Sequence, residues 1–350
     1  MRTRRVTIKD IAAEAGVSIA LVSFVMNNKA NGRDTYRVNK NTAQRILEVA
    51  RRLNYQPNNA ARTLRCGRTN TIGVIVSDIS NKFFADIARC IEDRAYKYNY
   101  TVLFGSTDEN AGKLHNLVEV FLNKGIDGLI IVPCEDSDLY IQRVADRQIP
   151  LVLLDREVTD ADMSCVVLNN FKAGAQATDS LLSRGCRRIE MISYSMGLSN
   201  IRDREEGFRY SMNRVGLPSD GAIHRLSHGQ MGMMRDVIKG AKERGAEGLL
   251  FATNALALAG LKEIPRNGWN IPGDFAVATF DGNDAFDINN TEIAYIQQPI
   301  AQFGTEAVDM LLKSIERKAK EEPMSSTRII LAPTLVENCP SGTAISETVV

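Results

Sequence analysis

Apolar positions fall into two regimes along this chain. Over residues 5–53 they recur at three- and four-residue spacing, the signature of helices that bury one stripe. "TIKDIAAEAG" places Ile8, Ile11, Ala12 and Ala15 on one stripe, with Thr7 set to cap its start and Gly16 to stop its end. "VSIALVSFVMNNK" follows a short turn and is capped by Ser18. Its Val22, Val25 and Met26 share one face, while Ala20, Ser23, Phe24 and Asn27 face the other way. "NTAQRILEVARRLNY" gathers Ile46, Val49, Ala50 and Leu53 on one side. Two short helices joined by a glycine-containing turn and closed by a third predict a helix-turn-helix unit, with "KANGRDTYRVNK" as a polar loop within it.

From Thr71 the period changes. Short apolar runs ("TIGVIVSDI", "YTVLFGST", "DGLIIVP", "PLVLLDR", "RRIEMISY", "EGLLFAT", "FAVATFD") alternate with amphipathic helical segments, which predicts buried parallel strands covered by helices on both faces. These strands are too many for one comfortable sheet, so two doubly wound α/β lobes are expected. The expected organisation is an all-α helix-turn-helix head over 1–56 and a hinge helix and linker over 57–69. A two-lobed body follows over 70–338, with a disordered tail over 339–350. Lobe one would take 70–160 plus 296–325, including the helix "IAQFGTEAVDMLLKSIERKAK"; lobe two would take 161–295 plus 326–338. In the linker, Pro57 and Asn58 open a helix of only about two turns, too short to hold by itself in water, so it should form only against a partner.

Charge sharpens this division. The whole chain carries a formal net charge of +1, yet residues 1–68 hold 14 Lys and Arg against 4 Asp and Glu. A basic head on an acidic body points to a polyanion as the partner of the head alone. The six cysteines are scattered, without CxxC or Cys/His spacing for zinc, and read as reduced thiols of a cytoplasmic protein. No run of 18 apolar residues and no signal-peptide core occurs, so neither a membrane nor secretion is expected. An enzyme or plain small-molecule-binding protein on the same α/β fold is the alternative. There is no GxGxxG after the first strand, no P-loop, no HExxH and only three histidines, so neither catalysis nor a metal or cofactor is expected.

The ordered motifs "VTIKDIAAEAGVS", "YQPNNAARTLR", "TNTIGVIVSDISNKFFADI", "GCRRIEMI", "REEGF", "FATN", "FDGND" and "QQPIAQFGTEAVDMLL" resemble those of the lactose/galactose repressor (LacI/GalR) family of bacterial transcription regulators over nearly the whole length. The resemblance implies a homodimeric repressor of sugar-utilisation genes that binds double-stranded operator DNA. It also implies a periplasmic-binding-protein-like body that takes a small sugar-like effector between its lobes. Ile19, Ala20 and Phe24 then stand at base-reading positions, the last where an arginine is common. Thr7, Ser18, Ser23, Asn27, Asn28, Tyr55 and Asn58 are further DNA contacts, and Arg62 and Leu64 fit the hinge-helix pattern in which the leucine wedges into the minor groove. In the body the resemblance assigns Phe83, Phe84, Asp155, Arg204, Asn254 and Asp281 to the effector, a set of aromatic faces and bidentate polar groups suited to a sugar ring. Ser227 and His228 are added as cleft candidates. The helices "FFADIARCIEDRA" and "LHNLVEVFLNKG" are candidates for the dimer contact.

Overall fold

Among the described residues three helices build the N-terminal unit: α1 (Ile8–Ala15), α2 (Ile19–Ala30) and α3 (Lys40–Arg52). In this computed structural model residues 6–30, 38–55, 67–158, 161–282, 286 and 292–337 are described. The Thr7 amide and hydroxyl both donate to the Asp10 carboxylate, at 2.8 and 2.7 Å, and so pin the first turn of α1. Gly16 ends it at φ 63°, a left-handed position that glycine takes without strain, and its N–H closes on the Ala12 carbonyl. The turn then delivers Ser18, whose hydroxyl accepts the Leu21 amide at 3.2 Å and starts α2. Ile11, Val22, Val25 and Ile46 are fully buried where the three helices meet. Each such side chain contributes roughly 1.5–3 kcal/mol, which makes this small core sufficient to fix the pose of α2.

The second unit, Asn70–Val350, contains two six-stranded sheets. The first runs in the order β11 (Arg328–Leu331), β5 (Cys165–Leu168), β4 (Leu151–Leu154), β3 (Gly128–Ile131), β1 (Thr71–Val76) and β2 (Thr101–Ser106), with every neighbour parallel. The second runs β12 (Thr334–Glu337), β10 (Ile293–Gln297), β9 (Ala276–Phe280), β8 (Gly248–Phe251), β6 (Ile189–Tyr194) and β7 (Ile223–Leu226). There only the β10–β12 pair is antiparallel. The crossover helices of the first lobe are α4 (Lys82–Lys97), α5 (Ala111–Asn123) and α6 (Asp138–Asp146); α7 (Asn170–Ser183), α8 (Ser199–Arg214), α9 (Met234–Glu243) and α10 (Asn254–Arg266) serve the second. The long α11 (Ile300–Ala319) packs on α4 and on β3, β4 and β5, which returns the chain to the first lobe.

Two lobe boundaries differ from the sequence expectation. Strand β5 belongs to the first sheet, so the chain crosses to the second lobe after Leu168 and not at residue 160. Its four buried residues are completed by β4 on one side and β11 on the other. Strand β11, expected in the second lobe, likewise lies in the first; only β12, beyond Pro333, pairs with the second sheet. The expected tail over 339–350 lies outside the described residues. Among the described residues no helix is long and apolar enough to cross a membrane.

Candidate functional site

Parallel strands of both lobes end at one cavity of about 350 Å³. The carboxyl end of a parallel sheet is where loops and helix starts converge, so the two lobes contribute side chains from opposite walls. From the first lobe come Phe83 and Phe84 at the start of α4, Glu109 after β2, and Asp155 and Arg156 after β4. The second lobe supplies Arg204 from α8, Asn254 at the start of α10, Asp281 after β9 and Gln298 after β10. Hydrogen bonds cross between the walls: Asn254 Nδ2 donates to Asn81 Oδ1 at 3.2 Å, Asn200 Nδ2 to Asp155 Oδ2 at 3.1 Å, and the Gly197 amide to Glu135 Oε1 at 3.0 Å.

Arg204 owes its position to two glycines. A Cβ on Gly174 of α7 would stand 2.2 Å from the Arg204 carbonyl oxygen, and one on Gly207 of α8 would stand 2.2 Å from that of Phe171. Only with glycine at both places do α7 and α8 approach closely enough for Arg204 Nε to donate to Asn170 Oδ1 at 2.8 Å. Its Nη1 donates to the Ala252 carbonyl at 2.7 Å, and the guanidinium lies 3.9 Å from the Phe280 ring centroid. The phenylalanine pair does two jobs at once. Phe83 and Phe84 are packed edge to face at 5.0 Å within the core and still present surface to the cavity.

Electrostatics in the cavity are set by burial. Asp281 is 9% exposed, and desolvation pushes its pKa up to about 6, against the pull of Arg204 and of Gln298 Nε2, which donates to Oδ1 at 2.9 Å. Burial also raises the Asp155 carboxyl above its ordinary range, opposed by Arg156 and Arg204. Desolvation lowers the Arg204 pKa, with Asp155 and Asp281 acting the other way. Among the described residues, four that line the cavity carry a buried side-chain atom without a hydrogen-bond partner: Asp155 Oδ1, Gln298 Oε1, Ser77 Oγ and Arg156 Nε. A carboxylate and an amide oxygen left this way are costly unless a ligand supplies donors.

Six of the eight side chains that the sequence offers for the effector thus line this cavity, and Ser227 does not. It caps the 3-10 turn over His228–Met233, its amide accepted by Gln230 Oε1 at 3.1 Å, after the edge strand β7. That position is remote from the switch of strand order at the centre of the sheet. The His228 side chain lies outside the described residues. Glu109, Arg156, Tyr194, Asn200 and Gln298 line the cavity without having been singled out from sequence. The one hint in the sequence is adjacency for Arg156, which follows Asp155 at the end of "PLVLLDR"; Gln298 follows β10, which is not among the apolar runs read from sequence.

On the head, α2 buries Val22 and Val25 and leaves Ile19 48% and Phe24 38% exposed. Ser18 and Ala20 are exposed beside them, and Ser23 and Leu21 are half-buried. Tyr55 packs partly against the head core, and the Thr7 hydroxyl is engaged by Asp10. The side chains of Asn27 and Asn28, and all of Asn58, Arg62 and Leu64, lie outside the described residues. Among the described residues no cluster could hold a metal ion.

A helix-turn-helix head on a two-lobed α/β body with a polar cavity between the lobes defines a class, the ligand-responsive DNA-binding regulators. Residues 7–58 match the family of bacterial regulatory proteins called lacI, and residues 69–336 match the periplasmic binding proteins and sugar-binding domain of the LacI family. The chain belongs to the LacI family. It is 31% identical to the ribose operon repressor of Halalkalibacterium halodurans over 318 residues, 89% of this chain and 91% of that one. To the HTH-type transcriptional regulator DegA of Bacillus subtilis it is 30% identical over 338 residues, 95% of this chain and 97% of the relative. A crystal structure of the lac repressor dimer bound to operator and the anti-inducer ONPF shares the fold, with a TM-score of 0.80 at 21% identity over 96% of this chain and 99% of that one. The chain is a DNA-binding transcription regulator and not an enzyme.

Proposed function

We propose that this regulator is a homodimeric repressor of sugar-utilisation genes whose operator affinity is set by a monosaccharide bound between the lobes. The observation that carries this is the cavity itself. Aromatic surface, Arg204 and the carboxylates of Asp155 and Asp281 converge from both lobes, and acceptors there lack protein donors. A ring carrying several hydroxyls supplies those donors and offers an apolar face to Phe83 and Phe84. A volume of about 350 Å³ lies at the small end for ligand sites, which favours a single sugar ring over a disaccharide. Relatives named as ribose and sucrose operon repressors support the sugar assignment.

The ligand touches both lobes, so it stabilises one arrangement of them, and differential affinity for two arrangements is what an allosteric switch requires. Strand β2 is an open edge with Phe104 39% exposed, and Tyr96 near the end of α4 is 79% exposed. A second copy covering this face places two heads on one pseudo-palindromic operator. There Ile19, Ala20 and Phe24 read bases, Ser18 and Ser23 contact phosphates, and Leu64 wedges the minor groove. The test is calorimetry with a panel of monosaccharides on the parent and on Asp281→Ala. The parent should bind one of them and the variant at least about tenfold more weakly, as expected when a buried polar partner is lost. Equal affinity in the two would remove the cleft assignment.

A further inference from the structure

The charge balance of this cavity goes further, to the chemical class of effector, and rests on the cavity being the effector site. Among the described residues five carboxylate side chains line it against two guanidiniums, with neither lysine nor histidine in that lining; one of the five, Asp108, pairs with Lys113 outside it. Both guanidiniums are already partly engaged, and the Nη edge of Arg156 is closed. Glu109 holds Arg156 fork to fork, Nη1 to Oε2 at 2.8 Å and Nη2 to Oε1 at 2.7 Å, and these side chains are only 11% and 9% exposed. Arg156 Nη1 also donates to the Pro133 carbonyl at 2.8 Å, and its Nε lies 3.5 Å from Asp155 Oδ2. Arg204 has Nε and Nη1 committed to Asn170 and Ala252 and its face to Phe280. Among the described residues the lining leaves four buried side-chain atoms without a hydrogen-bond partner: two acceptors that never donate, Asp155 Oδ1 and Gln298 Oε1, the Ser77 hydroxyl, and one donor, Arg156 Nε.

We infer that Glu109 is a specificity determinant: by occupying Arg156 it makes the cleft select neutral or cationic polyols and reject phosphorylated and acidic sugars. Hydroxyl and ammonium groups bring the donors that Asp155 and Gln298 lack. A phosphate monoester brings only acceptors for most of its oxygens and a charge of about −1.5 to −2 at neutral pH. It would meet surplus carboxylate, with the nearest arginine fork closed by Glu109. Removing the Glu109 charge frees that fork, whose planar geometry suits phosphate.

Calorimetry on the full-length parent with D-ribose, D-fructose and D-glucose, each beside its terminal phosphate monoester, and with D-glucosamine beside D-glucose, tests this. For whichever sugar binds, the phosphorylated partner should bind at least about 100-fold more weakly, and the amino sugar at least as well as its neutral parent. Glu109→Gln should narrow the gap between sugar and sugar phosphate at least about tenfold. Glu109→Asp, which keeps the charge but withdraws from the fork, covers a failure of Glu109→Gln to fold and should narrow it at least about threefold. If the parent binds sugar and sugar phosphate alike, the charge selection is overturned while the cleft stands. If the folded variants reject phosphate as strongly as the parent does, the role of Glu109 is overturned. If no sugar binds the parent, the effector-cleft reading falls, and this inference with it.

Discussion

Asp155 and Asp281 sit at strand ends with φ of 66° and 62°, in the left-handed region that costs a non-glycine residue about 1–3 kcal/mol. Glu109, at φ 57°, is held the same way. Aspartate tolerates this conformation better than most residues, and the turn it makes aims each carboxylate into the cavity. Burial gives Asp281 a testable pH signature. Its pKa rises to about 6, so the protonated form is favoured by folding. That contribution to stability is complete below the ordinary carboxyl range and fades as pH climbs through about 6. Ligand binding runs the opposite way, because a hydroxyl donor needs the carboxylate. Effector affinity measured by calorimetry should therefore rise up to about pH 6 and level off above it, and Asp281→Asn should lose that inflection. A flat profile in the parent from about pH 5 to 7 would contradict the assignment.

Phe24 carries the residue-scale prediction for DNA. Its ring is exposed on α2 while Val22 and Val25 anchor the opposite face. An apolar side chain meets a thymine methyl group, whereas arginine pairs with guanine O6 and N7. Selection from random DNA should return thymine opposite Phe24 in the parent and guanine in Phe24→Arg. Recovery of the same site by both proteins would refute the contact.

Among the elements, the α7–α8 pair is the most exacting. Gly174→Ala drives a methyl group into the backbone of Arg204, where no flexible side chain can yield. The expected cost is about 3 kcal/mol or more by urea denaturation, near the upper end for overpacking, together with weakened effector binding as Arg204 shifts. A change below about 0.5 kcal/mol would show that the helices approach less closely than described. Neither the glycine requirement nor its effect on Arg204 is visible in the sequence, because the two residues meet only after both helices are placed.

The same distinction explains which elements were legible. The strands β1, β3, β4, β6, β8 and β9 are buried apolar runs, and β2 is flagged by "TVLF". Strands β7 ("IHRL") and β12 ("TLVE") are short edge strands with polar positions, so their pattern is nearly that of a loop. Buried β5 ("CVVL") is as short as β3, β4 and β8, and its apolar run does not say which sheet it joins. In the cavity, Asp155, Asn254 and Asp281 were legible through the family resemblance, and each follows an apolar run. Glu109 and Asn200 reach it from a loop and a helix start, and local sequence does not encode which loop faces the cleft.

For the whole molecule, the concentration of Lys and Arg in residues 1–68 carries an electrostatic consequence. Operator affinity should fall steeply with salt, by roughly 1,000-fold or more between 50 and 200 mM if six or more phosphates are neutralised. The most direct test of the account joins the two units in one titration. A fluorescently labelled operator, obtained by selection from random DNA, is titrated with the full-length protein at fixed salt, with and without a saturating monosaccharide identified by calorimetry. The saturating sugar should change the operator dissociation constant by about 5- to 150-fold in the parent, the range of ordinary allosteric coupling, and Asp281→Ala should need at least about tenfold more sugar to reach half of its own change. A sugar that binds the parent yet leaves its operator affinity unchanged would contradict the switch.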